Sequence, residues 1–218
     1  MKKLISLSAL GFCSVLAMPT QADLSAAVDL SNLYLFRGVN MSAGSPLVAG
    51  TLNYNHDSGL YAGLWTASGD DAAGVEVDYY LGYNGQVQGL GYSVQYLNFY
   101  YPASKGTANA IVDLDDLAEL SLALSYQDFK ASLTAPTKDD AAGEYLYYSL
   151  GYGYDKFSAT LGLNDHKDAA KDYSHVDVKY QFNERVSFVV SQVLDTGSGS
   201  TLNDATLWQV NYQLPLTF

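Results

Sequence analysis

The side chains best suited to nucleophilic or general-base chemistry are three histidines, His56, His166 and His175, which lie far apart in the sequence. A serine–histidine–acid site is defined by its geometry and not by the order of its residues along the chain. Serines and acids are so frequent near these histidines that their presence is not diagnostic. His166 with the adjacent Asp165 is the best catalytic candidate, but we expect that the protein is not an enzyme.

Metal chemistry has equally weak support in the sequence. The only cysteine, Cys13, lies in an apolar N-terminal run, where the bulky Phe12 beside it disfavours lipid attachment. Three scattered histidines without a further cysteine do not suggest a transition-metal site. The Asp-rich segments also lack the regular ligand spacing of a calcium-binding hand. We therefore expect no catalytic residues, no metal and no cofactor.

The N-terminus has the form of a secretory signal peptide. Lys2 and Lys3 precede an apolar run over residues 4–16, and the small residues around Ala22 fit a cleavage site. The run is too short to span a bilayer as a helix. We expect residues 1–22 to be removed and residues 23–218 to form a single domain.

The charge balance limits the possible partners. After loss of two lysines with the signal peptide, the mature chain has 9 basic and 23 acidic side chains, a net charge of −14. Such a surface is unsuited to nucleic acid and to anionic lipid headgroups. Disorder is excluded, because 48% of the residues are hydrophobic and 13% are aromatic.

The C-terminal segment alternates between apolar and polar residues. The apolar set is Trp208, Val210, Tyr212, Leu214, Leu216 and Phe218. Because side chains alternate between the two faces of a strand, this pattern predicts a strand with one apolar face. Trp208 and Phe218 are ten residues apart, which matches the roughly 9–11 residues with which a tilted strand crosses a membrane. Pro215 is tolerable near a strand end.

The same alternation recurs along the chain, most clearly over residues 75–83, 119–126, 146–154 and 175–182. Shorter or noisier runs begin near Leu24, Val48, Leu60, Tyr92, Phe129, Phe157 and Val186. No run of eleven or more residues keeps a helical period. With the final strand, the sequence predicts an all-β protein of twelve antiparallel strands.

The connections alternate in length. The links after even-numbered strands are short, such as HDSG at 56–59 and NGQVQG at 84–89, whereas those after odd-numbered strands are long and polar, such as RGVNMSAGS at 37–45. This rhythm is typical of up-and-down outer-membrane β-barrels, whose short turns face the periplasm. A soluble β-sandwich is the alternative, but it does not explain the rhythm.

Aromatic residues support the barrel. Interfacial aromatics are expected at the outward positions next to the short turns. The sequence has Tyr54, Tyr83, Tyr126, Tyr154, Phe182 and Phe218 at these positions. We expect outer-membrane lipid and lipopolysaccharide as surroundings, and the final strand ending in Phe218 resembles the signal that the barrel-assembly machinery recognises.

The stretches LYLFRGVNMSAGSPLVAGTLNYNHDSGLYAGLWTASGD, GVEVDYYLGYNG and YLNFYYP resemble the TorF-type outer-membrane porins, a family formerly classed as a conserved bacterial domain of unknown function. The resemblance is strongest over residues 33–102 and continues beyond them mainly as a strand pattern. It implies a barrel with a signal peptide and passive transport of small solutes, without catalytic residues. An outer-membrane hydrolase and a structural or adhesive barrel without an open pore are the alternatives.

The inward positions of the predicted strands give a set of candidate pore-lining residues. The charged ones are Asp29, Arg37, Glu76, Asp78, Glu119, Lys130, Asp177 and Lys179, and the aromatic ones are Tyr80, Tyr145 and Tyr147. Charges of both signs either face a solute or pair with one another across a narrow lumen. The tyrosines either stack on a small ring of a solute or fill the lumen with hydrogen-bonded aromatics.

The long loops are predominantly acidic. We expect an acidic extracellular mouth that includes Asp70, Asp71, Asp115, Asp116, Asp139 and Asp140. A mouth of one sign concentrates solutes of the opposite charge, so this one favours cationic or neutral solutes. Solubility, or binding of divalent ions beside lipopolysaccharide, is the alternative role of these acids.

Overall fold

The computed structural model describes residues 23–70, 74–102, 117–138 and 143–217, and nearly all secondary structure in them is antiparallel β-strand. The strands are β1 (Asp23–Ser31), β2 (Leu35–Phe36), β3 (Val39–Asn40), β4 (Leu47–Asn55), β5 (Leu60–Asp70), β6 (Gly74–Val87), β7 (Leu90–Tyr100), β8 (Ala118–Tyr126), β9 (Phe129–Pro136), β10 (Tyr145–Tyr154), β11 (Phe157–His166), β12 (Tyr173–Gln181), β13 (Val186–Thr196) and β14 (Leu207–Leu216). A short 3₁₀ helix covers Ala169–Lys171.

Twelve of these strands form a closed barrel in which β1 and β4–β14 pair in sequence order, as the sequence predicted. The barrel closes where β1 pairs with β14, with Ala26 opposite Leu216 and Ser31 opposite Asn211. The two remaining strands, β2 and β3, pair only with each other within the described ranges. No helix among the described residues is long and apolar enough to cross a membrane.

The two faces of the barrel wall have opposite polarity. Large apolar side chains stand on the outside, where Leu122, Leu150 and Leu161 are about half exposed. The residues next to them in sequence point inward and are mostly polar or small, because neighbouring side chains in a strand alternate between faces. Charged residues such as Glu76 and Asp78 are thereby buried inside the barrel.

Short turns join the strands at one end of the barrel, the short-turn end, where the described chain also begins and ends. The outward aromatics expected there are exposed on the outer surface: Tyr54, Tyr83, Tyr126, Tyr154 and Phe182. Phe218, the sixth, lies outside the described residues. The opposite end, the long-loop end, bears the longer connections.

One short turn is tighter than the sequence suggested. The expected link over residues 84–89 is wrong, since β6 continues to Val87 and β7 begins at Leu90. The turn consists of Gln88 and Gly89, both with positive φ, as a type I′ hairpin requires. The polar residues that suggested a link are inward positions of β6, so their polarity reflects the barrel interior and not a turn.

Gly89 provides a test of this turn, because its φ is +85° and an added Cβ would meet no atom closer than 3.8 Å. We expect Gly89→Ala to lower the free energy of unfolding by about 1–2 kcal/mol, from the left-handed backbone alone. Gly151→Ala is the matched control, since that glycine has ordinary φ and its added Cβ has only van der Waals contacts. Urea unfolding of the two variants should differ in this direction, and equal stability would contradict the turn geometry.

Candidate functional site in the barrel lumen

The connection between β1 and β4, residues 32–46, enters the lumen; we call it the inner segment. The expectation that its RGVNMSAGS stretch is an external polar loop is wrong. Strands β2 and β3 make a hairpin with Leu35 opposite Asn40 and Phe36 opposite Val39. Its two turn residues, Arg37 and Gly38, have φ of 48° and 82°, the signature of a type I′ turn.

Apolar side chains anchor the inner segment to one side of the barrel wall. Tyr34 packs beside Trp65 of β5, with ring centroids 5.7 Å apart. Phe36 meets Phe99 of β7 edge to face at 6.2 Å. These contacts belong to two small clusters of buried apolar residues on the inner face of β4, β5 and β7. The segment therefore packs against an apolar patch of the inner wall.

Arg37 contacts the next part of the wall, on β8 and β10. Its guanidinium donates two hydrogen bonds to the Glu119 carboxylate of β8, from Nη1 at 2.7 Å and from Nη2 at 2.6 Å. The Tyr145 hydroxyl of β10 donates to the same carboxylate. The side chains of Arg37 and Glu119 are only 10% and 2% exposed. Two parallel bonds in a buried setting make this a strong and geometrically specific contact.

Two aromatic rings complete the surroundings of Arg37. Its guanidinium carbon lies 4.4 Å from the ring centroid of Tyr147 and 4.7 Å from that of Phe36. Both distances are within the range in which a cation is attracted to an aromatic face. The guanidinium is thus held by a carboxylate at its edge and by rings at its faces.

A histidine lies beneath the tip of the hairpin. His175 of β12 is fully buried; its Nε2 is 2.8 Å from the Tyr147 hydroxyl and its Nδ1 is 3.2 Å from Asp177. Two glycines enclose the imidazole: a Cβ added to Gly38 would lie 2.5 Å from Cγ, and one added to Gly162 would lie 2.1 Å from Nε2. The hairpin can reach this wall only because residue 38 has no side chain.

A second contact of the inner segment is with buried acids of β6. The Tyr34 hydroxyl donates to Glu76 at 2.9 Å, and Asp78 lies beside Glu76 on the same inward face. Both acids are buried, at 1% and 0% exposure. The inner segment therefore contacts inward side chains of β6, β8, β10 and β12, and it extends across the lumen.

The protonation states of the inner segment are fixed by these neighbours. Burial alone would lower the pKa of Arg37, but the charge and hydrogen bonds of Glu119 raise it above its ordinary value. Burial, reinforced by the negative charge of Glu76, raises the pKa of Tyr34 far above its ordinary range. Arg37 is therefore a permanent cation, and Tyr34 keeps the proton that it donates.

The other predicted inward residues surround the lumen at several levels. Asp29 accepts hydrogen bonds from Asn211 and Gln213 of β14, and it is the acidic neighbour of the buried Lys179. The Tyr80 hydroxyl donates to Asn53. Lys130 is partly exposed in the short-turn half.

Little of the predicted acidic mouth falls within the described residues. Asp70 is the last residue of β5, whereas Asp71, Asp115, Asp116, Asp139 and Asp140 lie outside the described ranges. Elsewhere at the long-loop end, Glu144 forms an exposed ion pair with Lys167 at 2.6 Å, and Asp172 accepts from the backbone N–H of His166.

The catalytic candidate does not assemble. Asp165 and His166 are consecutive residues of β11, so their side chains point to opposite faces of the wall. The imidazole of His166 stacks on Tyr145, with ring centroids 6.0 Å apart. Over the described ranges, no three His, Cys, Asp or Glu side chains are grouped so that they could hold a metal ion.

The lumen differs sharply between its two halves. At the level of the inner segment, Glu119, Tyr147 and His175 are buried. In the short-turn half, the inward residues of β8–β11 other than Lys130 are small and partly exposed: Ala123, Ser125, Ser132, Gly151, Gly153, Ser158 and Thr160. The interior is therefore occupied by the inner segment at one level, and small side chains line this side of it towards the short turns.

Several site residues were missed by sequence reasoning. Tyr34 and Phe36 lie just before the predicted loop at 37–45 and are not among the predicted inward residues, and the sequence offers His175 only as a possible catalytic group. His175 and Asp177 do alternate as inward residues of one strand, which was the available signal. Nothing local, however, predicts that Arg37 meets a carboxylate 82 residues away.

Comparison with known proteins identifies a family whose model the chain matches and several solved structures to which it is similar. Residues 17–199 match the model of the Gcw_chp family, described as a bacterial protein of unknown function. No curated protein matches the chain. Among solved structures, the KdgM porin is 9% identical, with 89% of this chain and 98% of that chain covered and a TM-score of 0.49.

Two further solved structures have similar sequence identity, coverage and TM-score. A KdgM porin in complex with disordered oligogalacturonate is 9% identical, with 87% and 96% covered and a TM-score of 0.48. An outer membrane channel from Pseudomonas putida F1 is 13% identical, with 95% and 100% covered and a TM-score of 0.45.

The contact between Gly38 and His175 can be tested with a pair of alanine variants. Gly38 and Gly44 both have positive φ, but an added Cβ would clash with His175 only at position 38. We expect Gly38→Ala to release the hairpin and to speed hydrogen exchange of the Met41 amide, which bonds to the Tyr34 carbonyl, by at least about tenfold. Gly44→Ala should speed this exchange less, because its only cost is that of a positive φ for alanine. Equal exchange in the two variants would contradict the seated hairpin.

Proposed function

The chain belongs to the Gcw_chp family of bacterial proteins of unknown function, and we propose that it is an outer-membrane channel for passive diffusion of small solutes. The observation that carries this proposal is the inner segment, which narrows a polar lumen at one level and leaves the rest of it wider. The resemblance of residues 33–102 to TorF-type porins agrees with the proposal.

The outer surface supports a membrane location. A closed barrel leaves no unpaired strand edge, which is the condition for a sheet to exist in lipid. The exterior is lined with Leu, Val, Tyr and Phe, and aromatics are exposed beside the short turns. A dissolved protein would bury such a surface, whereas a lipid bilayer covers it.

Cellular placement follows from the same proposal. Residues 1–22 serve as a signal peptide, and the domain formed by residues 23–218 resides in the outer membrane among lipid and lipopolysaccharide. The barrel-assembly machinery reads the last strand, which ends in Phe218. The short-turn end then faces the periplasm and the long-loop end faces outside.

The lumen supports conduction of water-soluble solutes. Many of its inward residues in the short-turn half are hydroxyl, amide, charged or glycine, so a solute there meets groups that can replace its hydration. At the inner segment Arg37 and Glu119 are buried and paired with each other. A barrel of twelve strands lies between eight-stranded barrels filled by side chains and the wide porins of 16–18 strands. We place the constriction at the inner segment.

Charge at the long-loop end sets the preferred solutes. The loops contribute Asp70, Asp71, Asp115, Asp116, Asp139 and Asp140, with few basic residues to offset them. This acidic mouth raises the local concentration of cations and lowers that of anions. Cationic and neutral small solutes are therefore favoured.

Reconstitution into planar bilayers tests the channel and its constriction together. Replacing residues 35–40 by Gly-Gly removes the hairpin, and we expect the single-channel conductance to rise at least about twofold because the narrowest level widens. Replacing residues 198–203 by Gly-Gly is the matched control, since it shortens an exposed connection at the long-loop end and should leave conductance unchanged. A folded barrel without current in every variant would overturn the proposal and favour a structural barrel or a hydrolase.

Reversal potentials in a potassium chloride gradient test the acidic mouth. We expect the wild type to be cation-selective, and Asp115→Asn with Asp116→Asn to reduce the permeability ratio by up to about twofold at low salt, where screening is weak. The same pair of changes at Asp128 and Asp155, in turns at the opposite end of the barrel, is the control. Anion selectivity of the wild type would refute a role for the loop acids.

A further inference from the structure

We propose that Glu119, Tyr145 and Tyr147 form a lumen site for a cationic solute of the guanidinium class, and that Arg37 occupies this site as an internal ligand. The proposal rests on the proposed channel function and specifies what the constriction recognises. A solute with a free guanidinium competes with Arg37, displaces the hairpin and widens the lumen.

The site belongs to the barrel wall and not to the inner segment. Glu119 is the second residue of β8, and Tyr145 and Tyr147 lie on β10, so rigid strands hold all three. The hydrogen bond from Tyr145 to Glu119 and that between Tyr147 and His175 are made within the wall. Both persist when the hairpin leaves, and the three side chains then stay in position for another cation.

The chemistry of the site matches a planar cation. A carboxylate that accepts two parallel N–H bonds at 2.6 and 2.7 Å fits the fork of a guanidinium, and an ammonium group cannot reproduce that pair of bonds. Tyr147 offers its ring face at 4.4 Å, where a delocalised cation stacks. An anion or a neutral solute finds no such complement here.

Because the Glu119 carboxylate is buried, the site requires a cation as its occupant. Glu119 is 2% exposed, and a buried carboxylate that loses its cationic partner is strongly destabilising. Arg37 neutralises it in this structure. Any group that replaces Arg37 must therefore supply a positive charge and similar hydrogen bonds.

The hairpin is built so that it can detach as a unit. Its strands pair with each other, and the described part of the chain shows no ladder between them and the barrel. A bond from the Met41 amide to the Tyr34 carbonyl and one from the Tyr34 amide to the Ser42 hydroxyl close the segment on itself. Side-chain contacts alone attach it to the wall, so no barrel strand has to open for release.

The backbone at Arg37 points to the same role. Its φ of 48° is left-handed, a conformation that is strained for most residues with a side chain and that Asn or Gly would adopt more easily. The turn alone does not explain an arginine at this position. The contacts of its guanidinium do.

Competition then links solute binding to opening. A solute that binds only when Arg37 has left shifts the population towards the open state, and its apparent affinity is reduced by the fraction of barrels that are open. Removing the Arg37 side chain makes the site fully available and tightens binding. Removing the charge of Glu119 abolishes binding of the solute whether or not the Arg37 side chain is present.

Calorimetric titration with ethylguanidinium chloride on the full-length, detergent-folded barrel measures the site directly. We expect Arg37→Ala to bind ethylguanidinium at least about tenfold more tightly than the wild type, and ethylammonium chloride to bind at least about threefold more weakly than ethylguanidinium. Arg37→Ala with Glu119→Gln should not bind. Arg185→Ala, which removes an arginine in a turn at the short-turn end, is the control and should behave as the wild type.

The wild type supplies a second measurement that requires no variant to fold. Millimolar ethylguanidinium should speed hydrogen exchange of the Met41 amide in the inner segment, whereas ethylammonium at equal concentration should not. Binding that is equal in Arg37→Ala and wild type, or that survives Glu119→Gln, would overturn the site. So would exchange that the two salts change equally.

Bilayer recordings separate this site from the channel. If Arg37→Ala binds ethylguanidinium through Glu119 but no variant conducts, the channel function fails and the site stands. If Arg37→Ala conducts and ethylguanidinium neither binds nor blocks it, the site fails and the channel stands. The expected result is an open Arg37→Ala channel that millimolar ethylguanidinium blocks and that Glu119→Gln makes insensitive.

Discussion

The arrangement of side chains in the long-loop half of the lumen depends on the ion pair between Arg37 and Glu119. This pair joins the tip of the inner segment to β8, and it neutralises a carboxylate that is 2% exposed. The Tyr34–Glu76 hydrogen bond, the apolar contacts of Tyr34 and Phe36 and the contact of Gly38 with His175 supplement it. Among these contacts, the pair is the charged one with two parallel hydrogen bonds.

The barrel wall and the inner segment stabilise different parts of the structure. Backbone ladders close the wall and need no particular side chain at most inward positions, so Gly, Ala and Ser are tolerated in the short-turn half. The long-loop half contains buried acids, a buried imidazole and several tyrosine hydroxyls. Such groups are tolerated away from water only when they are paired, and residues of the inner segment contribute partners for several of them.

The fold could be predicted from the sequence because barrel strands carry their own signal. Alternation with period two, as in Leu120, Leu122 and Leu124, reports which face of each strand meets the outside, and turn lengths report connectivity. The site could be predicted only in part. Inward acids such as Glu119 follow from the same alternation, but their partners depend on where the chain between β1 and β4 goes. An Arg-Gly pair is not the usual Asn-Gly signal of a type I′ hairpin, so the sequence of RGVNMSAGS does not indicate the hairpin.

The enclosure of His175 between Gly38 and Gly162 has a consequence for how such chains diverge. Each glycine is tied to the imidazole and not to the other, so the three positions should change together or remain fixed through evolution. A lineage that replaced the imidazole by a small side chain would lose this contact at both glycines, but the φ of 82° at residue 38 and the Tyr147 hydroxyl beside residue 162 would still restrict larger residues. Covariation among these three positions would then distinguish homologues in which the inner segment lies inside the lumen from homologues in which it lies outside the barrel.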